Sequence, residues 1–221
     1  MPARKILRNY RNVTGISHND HTFEMTAFES MLERDYILML KFSDQIEYYD
    51  GQPLTIEYQY QGKTRKYTPD FLIKYKPTPV DKEPLTELVE IKYSQDLIVQ
   101  EAELKPKFDA AKEYCKQFGW KFCIRTEEDI RTDYLENIKF LLRYKSLDMD
   151  LMHLDYILRT MSTLRETTPQ ELLASCWKSA TLQAEMLPYL WYMIANNKIQ
   201  TDLGTKINMK SRIWMADLDN I

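Results

Sequence analysis

Hydrophobic positions change their spacing several times along the chain, and each change marks an element. In TAFESMLERDYILMLKF, residues 26–42, Phe28, Met31, Leu32, Leu38, Met39 and Phe42 recur at helical spacing and predict a first helix. Thr26 with Glu29 three residues later reads as its capping box, a hydroxyl and a carboxylate satisfying unpaired N–H groups of the first turn. Glu33 lies one turn beyond Glu29, and that cap leaves it unexplained. The period then shortens to two. IEYY at 46–49 and LTIEYQY at 54–60 predict strands, with Leu54, Ile56, Tyr58 and Tyr60 alternating with polar residues. Gln61-Gly62-Lys63 reads as a hairpin turn that returns into a strand over RKYTPDFLIKY, 65–75. A Pro/Lys-rich loop, KPTPVDKEP, precedes a strand over LTELVEIKY, 85–93. A charged helix near 99–118, a strand WKFCIRT at 120–126 and helices from about 127 to 146 follow.

The order α, β, β, β, α, β, with IEYY as an extra edge strand, predicts an α/β fold with a mixed sheet flanked by helices. From about 149 to 196 the pattern is helical throughout. It contains a second capping box, Thr168-Pro169-Gln170-Glu171, with proline at the first helical position. Two short β-prone runs around Asp202-Leu203-Gly204 follow. Three small helices and a hairpin are the outline of a mainly helical, winged-helix-like module. The expected division is an arm over 1–24, an α/β domain over 25–150 and a helical domain over 151–221.

Charge narrows the possible partners. With 30 Lys+Arg against 33 Asp+Glu, a net charge of −3, the chain has no general basic character, and non-specific affinity for nucleic acid comes from neutralised phosphates. Local clusters must compensate if it works on DNA. Arg4, Lys5, Arg8 and Arg11 form a basic arm. Lys198, Lys206, Lys210 and Arg212 surround the final hairpin against one acidic residue, Asp202. Each cluster reads either as phosphate contacts or as ordinary solvated charge. No stretch approaches the roughly 18 apolar residues of a membrane span. The segment MPARKILRNYRN lacks the apolar centre of a secretory signal, so a cytoplasmic location without membrane contact is expected. Cys115, Cys123 and Cys176 are odd in number and widely spaced, and read as core or boundary residues rather than a disulfide or zinc framework. His18 and His21 in SHNDH have metal-ligand spacing, but read more simply as a polar segment before the first helix.

Chemistry concentrates in Pro69-Asp70 and, twenty residues on, Glu90-Ile91-Lys92, with Glu33 on the preceding helix. Alternation along a strand turns Glu90 and Lys92 to one face and Ile91 to the packed one. Asp70 is followed by Phe71, Leu72 and Ile73, and Glu90 is preceded by Leu88 and Val89. A carboxylate in such apolar surroundings must be paired or bind a metal. Carboxylate oxygens suit Mg²⁺, which keeps water and binds substrate phosphate, and a lysine beside that water offsets developing charge. These are the parts of a metal-dependent nuclease. As bare strings PD and ExK also fit a turn and a same-face ion pair; the ordered context of helix, β-meander, strand and helix favours the nuclease. A glycine-rich phosphate loop, GxSxG and HExxH are all missing from the sequence.

The segments MLERDYILMLKFSDQIEYYDGQPLTIEY, TPDFLIKY, LVEIKY and WKFCIRTEEDI resemble TnsA, the endonuclease subunit of heteromeric transposases of the Tn-seven type. The resemblance implies a restriction-endonuclease-like PD-(D/E)xK core over about 25–145 and a winged-helix-like C-terminal domain. It implies that Glu33, Asp70, Glu90 and Lys92 are catalytic. Asp70, Glu90 and the Ile91 carbonyl would hold Mg²⁺, or Mn²⁺ as a substitute, with Glu33 contributing directly or through water. Lys92 would orient the attacking water. It further implies cleavage of the 5′ strands at transposon-end DNA in a bacterial cell, beside a DDE transposase partner, TnsB, and an ATPase regulator, TnsC. The lead-in of about 24 residues is short beside the long N-terminal extension of some members of the family, and in that shortness the chain resembles TnsA proteins of CRISPR-associated transposons. A stand-alone restriction or repair nuclease of the same fold, and a non-catalytic winged-helix assembly protein, remain the alternatives.

Overall fold

A computed structural model describes residues 15–18, 25–79 and 83–215. The chain divides into two compact units, Met1–Arg131 and Thr132–Ile221. The arm residues Arg4, Lys5, Arg8 and Arg11, and His21, lie outside the described residues.

The first unit opens with a hairpin, β1 (Gly15–His18) against β2 (Met25–Phe28), where a polar lead-in and the start of a helix were expected. His18 lies on β1. The helix α1 begins later, at Met31, and runs to Phe42. Thr26 is in β2; the cap is Ser30, extended at φ −140 and ψ 161, whose hydroxyl accepts from Glu33 N at 3.1 Å. The motif that wins is therefore Ser30-x-x-Glu33, and Glu33 is its third helical residue rather than an orphan beyond the cap.

The main sheet has the order β3-β6-β7-β8, formed by β3 (Ile46–Gly51), β6 (Phe71–Tyr75), β7 (Thr86–Ile91) and β8 (Lys121–Arg125). Its first two pairings are antiparallel, and β7 pairs with β8 in parallel across a helical crossover. IEYY is thus the edge strand, as expected. The strand expected over 65–75 is broken. Residues Lys63–Tyr67 (β5) pair with Ile56–Tyr60 (β4) in a separate two-stranded ribbon, and β6 restarts at Phe71. Pro69 explains the break, since it has no N–H for a ladder and constrains Thr68 before it.

Between β7 and β8 run α2 (Ser94–Val99) and α3 (Glu101–Phe118), the latter closed by Gly119 in a left-handed conformation at φ 68. Leu104, Phe108, Ala111 and Cys115 repeat at helical spacing and pack with Leu88 of β7, Ile56 and Tyr67 of the ribbon. The opposite face of the sheet meets α1, with Tyr36 and Phe71 in ring contact at 5.6 Å. A short α4 (Glu127–Ile130) ends the unit.

The second unit contains α5 (Asp133–Lys145), α6 (Leu151–Leu164), β9 (Glu166–Thr167), α7 (Pro169–Cys176), α8 (Ala180–Ala195), β10 (Ile199–Thr201) and β11 (Ile213–Met215). The short strands form a sheet in the order β10-β11-β9. The Thr168 cap forms as expected, accepting from Glu171 N at 3.2 Å with Pro169 in the first turn. The break between units falls at 131/132 instead of near 150, because α5 packs on α8. Phe140 meets Trp191 edge-to-face at 5.1 Å, and buried Asn137 donates to Leu203 O and Thr205 O and accepts from Ile207 N. Cys115, Cys123 and Cys176 are free thiols, the first two buried. No helix among the described residues is long and apolar enough to cross a membrane.

Candidate active site

Strand β7 is buried along nearly its whole length, yet it carries two carboxylates, Glu87 at 3% and Glu90 at 4% exposure. Three positions apart, they leave on opposite faces. Glu87 is neutralised by Arg125 at 3.4 Å and Lys121 at 3.5 Å and accepts from Tyr75 Oη at 3.1 Å. It is a closed structural network that the sequence reading did not single out. Glu90 faces the other way, into a cleft of about 700 Å³ lined by Glu29, Glu33, Tyr67, Asp70, Lys92 and Lys107 among others.

Backbone geometry brings the four expected residues together in that cleft. Phe71 stands opposite Val89 in the β6–β7 ladder, so the preceding Asp70 lies beside Glu90 and Ile91. Its N–H donates to Val89 O at 3.1 Å, and its Oδ2 accepts from Ile91 N at 2.6 Å. Its carbonyl accepts from Gln52 N at 2.8 Å. Lys92 follows β7 and continues its parallel pairing, donating from N to Arg125 O at 3.1 Å. Its ammonium turns to the Glu90 face as alternation requires, 2.8 Å from Glu90 Oε1, and also donates to Ile91 O at 3.3 Å. Glu33 enters from the first turn of α1, where its Oε2 accepts from Glu29 N at 2.8 Å.

Electrostatically the cluster is short of positive charge. Burial, then the charges of Glu90 and Glu33, push the Asp70 pKa well above the usual aspartate value, against Lys92 and the Ile91 N–H. Glu33 is raised too, mainly by burial. Burial works against the Lys92 charge, but Glu90, Asp70 and Glu33 outweigh it and raise the ammonium pKa. Lys92 is thus held as a cation.

The donor set has the chemistry of a hard divalent cation: two carboxylates, Asp70 and Glu90, and the Ile91 carbonyl. The chain's own ammonium already touches two of these groups, which identifies the spot as one that attracts positive charge. Among the described residues no three His, Cys, Asp or Glu side chains close into a complete cage. The protein would therefore supply a few oxygens and leave the other positions to water and phosphate.

Around this centre the cleft includes Thr55, Lys66, Tyr67 and Thr68 of the β4–β5 ribbon, and Gln100, Leu104 and Lys107 at and after the start of α3. Tyr67 has a local signal, an aromatic ending an otherwise exposed strand just before Pro69-Asp70. In the second unit Lys198, Lys206 and Lys210 are exposed, while Arg212 is engaged by Glu166 through two contacts of 2.5 Å.

A mixed sheet flanked by helices, with a proline-linked aspartate and an ExK lysine at one end of adjacent strands, is consistent with a nuclease of the restriction-endonuclease-like class. Family models agree and go further: "TnsA-like endonuclease N terminal" matches residues 43–127, and "TnsA endonuclease C terminal" matches residues 129–203. The chain belongs to the TnsA endonuclease family of Tn7-like transposons. Asp70, Glu90 and Lys92 fall inside the first match, and Glu33 precedes it. No curated protein matches the chain closely enough to count as a relative.

Proposed function

We propose that Asp70, Glu90, Lys92 and Glu33 form the catalytic centre of a Mg²⁺-dependent endonuclease that hydrolyses the 5′ strands at transposon ends. The observation that carries this reading is the convergence of the Asp70 carboxylate on the Ile91 N–H beside a Glu90–Lys92 pair in one cleft. Asp70, Glu90 and the Ile91 carbonyl would hold Mg²⁺, with Glu33 beside them. When bound, the ion polarises the phosphoryl group and lowers the pKa of a coordinated water. Lys92, held as a cation, orients the attacking water and offsets the charge that accumulates on the phosphoryl oxygens. Burial of Glu90 and partial burial of Asp70 and Glu33 keep those charges less screened than at an open surface.

The second unit supports a winged-helix reading through its order helix, strand, helix, helix, strand, strand from α6 to β11, with β11 central in the sheet. Lys198, Lys206 and Lys210 are its exposed candidates for DNA, with Arg4, Lys5, Arg8 and Arg11 of the arm, and Arg212 once released from Glu166. The working assembly is a cytoplasmic complex with a TnsB-type transposase and a TnsC-type ATPase on end DNA. The test is a reconstituted excision reaction with the 5′ strands labelled. Asp70→Ala or Lys92→Ala abolishes 5′-strand cleavage while 3′-strand cleavage by the transposase continues. Full 5′ cleavage by either folded variant sinks the assignment.

A further inference from the structure

Glu90 is a buried carboxylate whose two oxygens have different neighbours. Its Oε1 faces Lys92 at 2.8 Å, while its Oε2 accepts from the Tyr67 hydroxyl at 2.7 Å. Tyr67 does not belong to the main sheet. It ends β5 in the separate ribbon, and its ring is buried at 7% exposure among Leu88, Leu104 and Phe108, 6.5 Å from the Phe108 ring centroid. The phenol is therefore fixed by packing and not by the carboxylate it touches. Facing a carboxylate oxygen, which can only accept, the phenol O–H acts as the donor.

We propose that Tyr67 is the positioning residue of the metal site: by holding Oε2 it locks the Glu90 side chain and leaves Oε1 as the oxygen offered to the cation. The proposal rests on the reading of Asp70 and Glu90 as the metal ligands. Outer hydrogen bonds of this type orient ligating side chains, and losing one typically lowers metal affinity about 10- to 100-fold. They also give the β4–β5 ribbon a task, since it is the only part of the described first unit seen to reach Glu90 with a side-chain donor other than Lys92.

The experiment measures Mn²⁺ binding to the full chain directly, by the electron paramagnetic resonance signal of free Mn²⁺, without DNA and without turnover. Tyr67→Phe removes one oxygen and keeps the buried ring; Tyr58→Phe makes the same change on the other strand of the ribbon. Circular dichroism sets the folded fraction to which binding is normalised. The expected result is an affinity about 10- to 100-fold weaker for Tyr67→Phe, wild-type affinity for Tyr58→Phe, and no further loss when Tyr67→Phe is added to Glu90→Ala. In cleavage assays the Mn²⁺ concentration for half-maximal rate rises in parallel, while the rate at saturating Mn²⁺ changes little. Wild-type affinity in Tyr67→Phe, or an additive loss in the Glu90→Ala background, overturns the positioning role. Unchanged Mn²⁺ binding in Asp70→Ala and Glu90→Ala instead overturns the ligand assignment on which it rests.

Discussion

The Lys92 ammonium lies 2.8 Å from Glu90 Oε1, so the one positive charge offered by the ExK motif is placed on one of its own carboxylates. The same ammonium reaches the Ile91 carbonyl, while Asp70 binds the Ile91 N–H. Three consecutive residues thereby tie two strands and two carboxylates into one charged unit.

Removing that ammonium leaves Glu90, Asp70 and Glu33 without their common counter-charge. Lys92→Met is expected to destabilise the metal-free protein by about 3 kcal/mol, the low end for breaking a buried ion pair because the lysine side chain keeps 30% of its exposure. Urea melts with EDTA and with Mg²⁺ check this. The loss should shrink when the ion supplies the missing charge, and an equal loss in both conditions contradicts the shared-cation picture.

The raised Asp70 pKa has a defined sign in stability. The folded, metal-free protein holds the Asp70 proton more tightly than the unfolded chain does, so this stability contribution is complete below the unfolded aspartate pKa of about 3.9. It is lost as pH rises through the raised folded value. Glu33 acts in the same direction. Thermal melts in EDTA should therefore show this contribution declining with pH above 4, and Asp70→Asn should flatten the slope. A slope in Asp70→Asn as steep as in the parent chain assigns the dependence to other groups.

At the α1 start, Ser30→Ala removes the hydroxyl that accepts from Glu33 N. About 1 kcal/mol of stability should be lost, a typical value for a side-chain cap. Because the cap also fixes the turn from which Glu33 enters the cleft, cleavage should fall more than Mn²⁺ binding at Asp70 and Glu90 does. Unchanged stability and cleavage in Ser30→Ala contradict the capping role.

The contrast between Ser30 and Thr26 shows what was legible in the sequence. Both begin a T/S-x-x-E pattern, and the choice depends on β1 pairing with β2, a partner thirteen residues away from Phe28 at Gly15. The grouping of Asp70, Glu90 and Lys92 was readable because strand alternation alone puts Glu90 with Lys92, and a β6–β7 neighbour relation puts Asp70 beside them, whereas the place of Glu33 depended on the Ser30 cap. Tyr67 was not, because a single strand over 65–75 makes it one more alternating aromatic; only the break at Pro69 sends it to another sheet and then back onto Glu90. Glu87 was hidden for a similar reason, since its partners Lys121 and Arg125 come from β8, a helical crossover away. In the second unit the helices were visible as apolar periods, but the role of α5 depends on Asn137 meeting a loop some seventy residues later.

That loop gives a prediction of its own. Asn137 is buried and makes three hydrogen bonds to the backbone of residues 203–207, the segment that carries Lys206 between β10 and β11. Asn137→Ala leaves two carbonyls and one N–H to find other partners, at a cost of about 1–3 kcal/mol for each group that stays buried. Hydrogen exchange should accelerate at Ile207 before the helices open. Unchanged protection there contradicts the anchoring role.

Lys105 and Lys107 lie two residues apart on α3 and look alike in sequence, but only Lys107 lines the cleft with Lys66. Lys66 is paired with Glu57 at 3.1 Å, yet both side chains are largely exposed, so that pair is weak and releases the lysine cheaply to a phosphate. On the proposed function, a DNA strand whose scissile phosphate sat at Asp70 and Glu90 would bring neighbouring phosphates past these two lysines. Each such contact releases condensed counterions, and duplex binding then changes with salt by a log–log slope of about −0.9 per neutralised phosphate. Lys107→Ala and Lys66→Ala are each expected to weaken end-DNA binding and to reduce the magnitude of that slope by about 1. Lys105→Ala should leave the slope unchanged. Binding isotherms over a salt series, made with the Asp70→Ala background to prevent cutting, read both quantities. An equal effect of Lys105→Ala and Lys107→Ala would show that helix charge in general attracts the DNA, and would remove the cleft as the path of the strand.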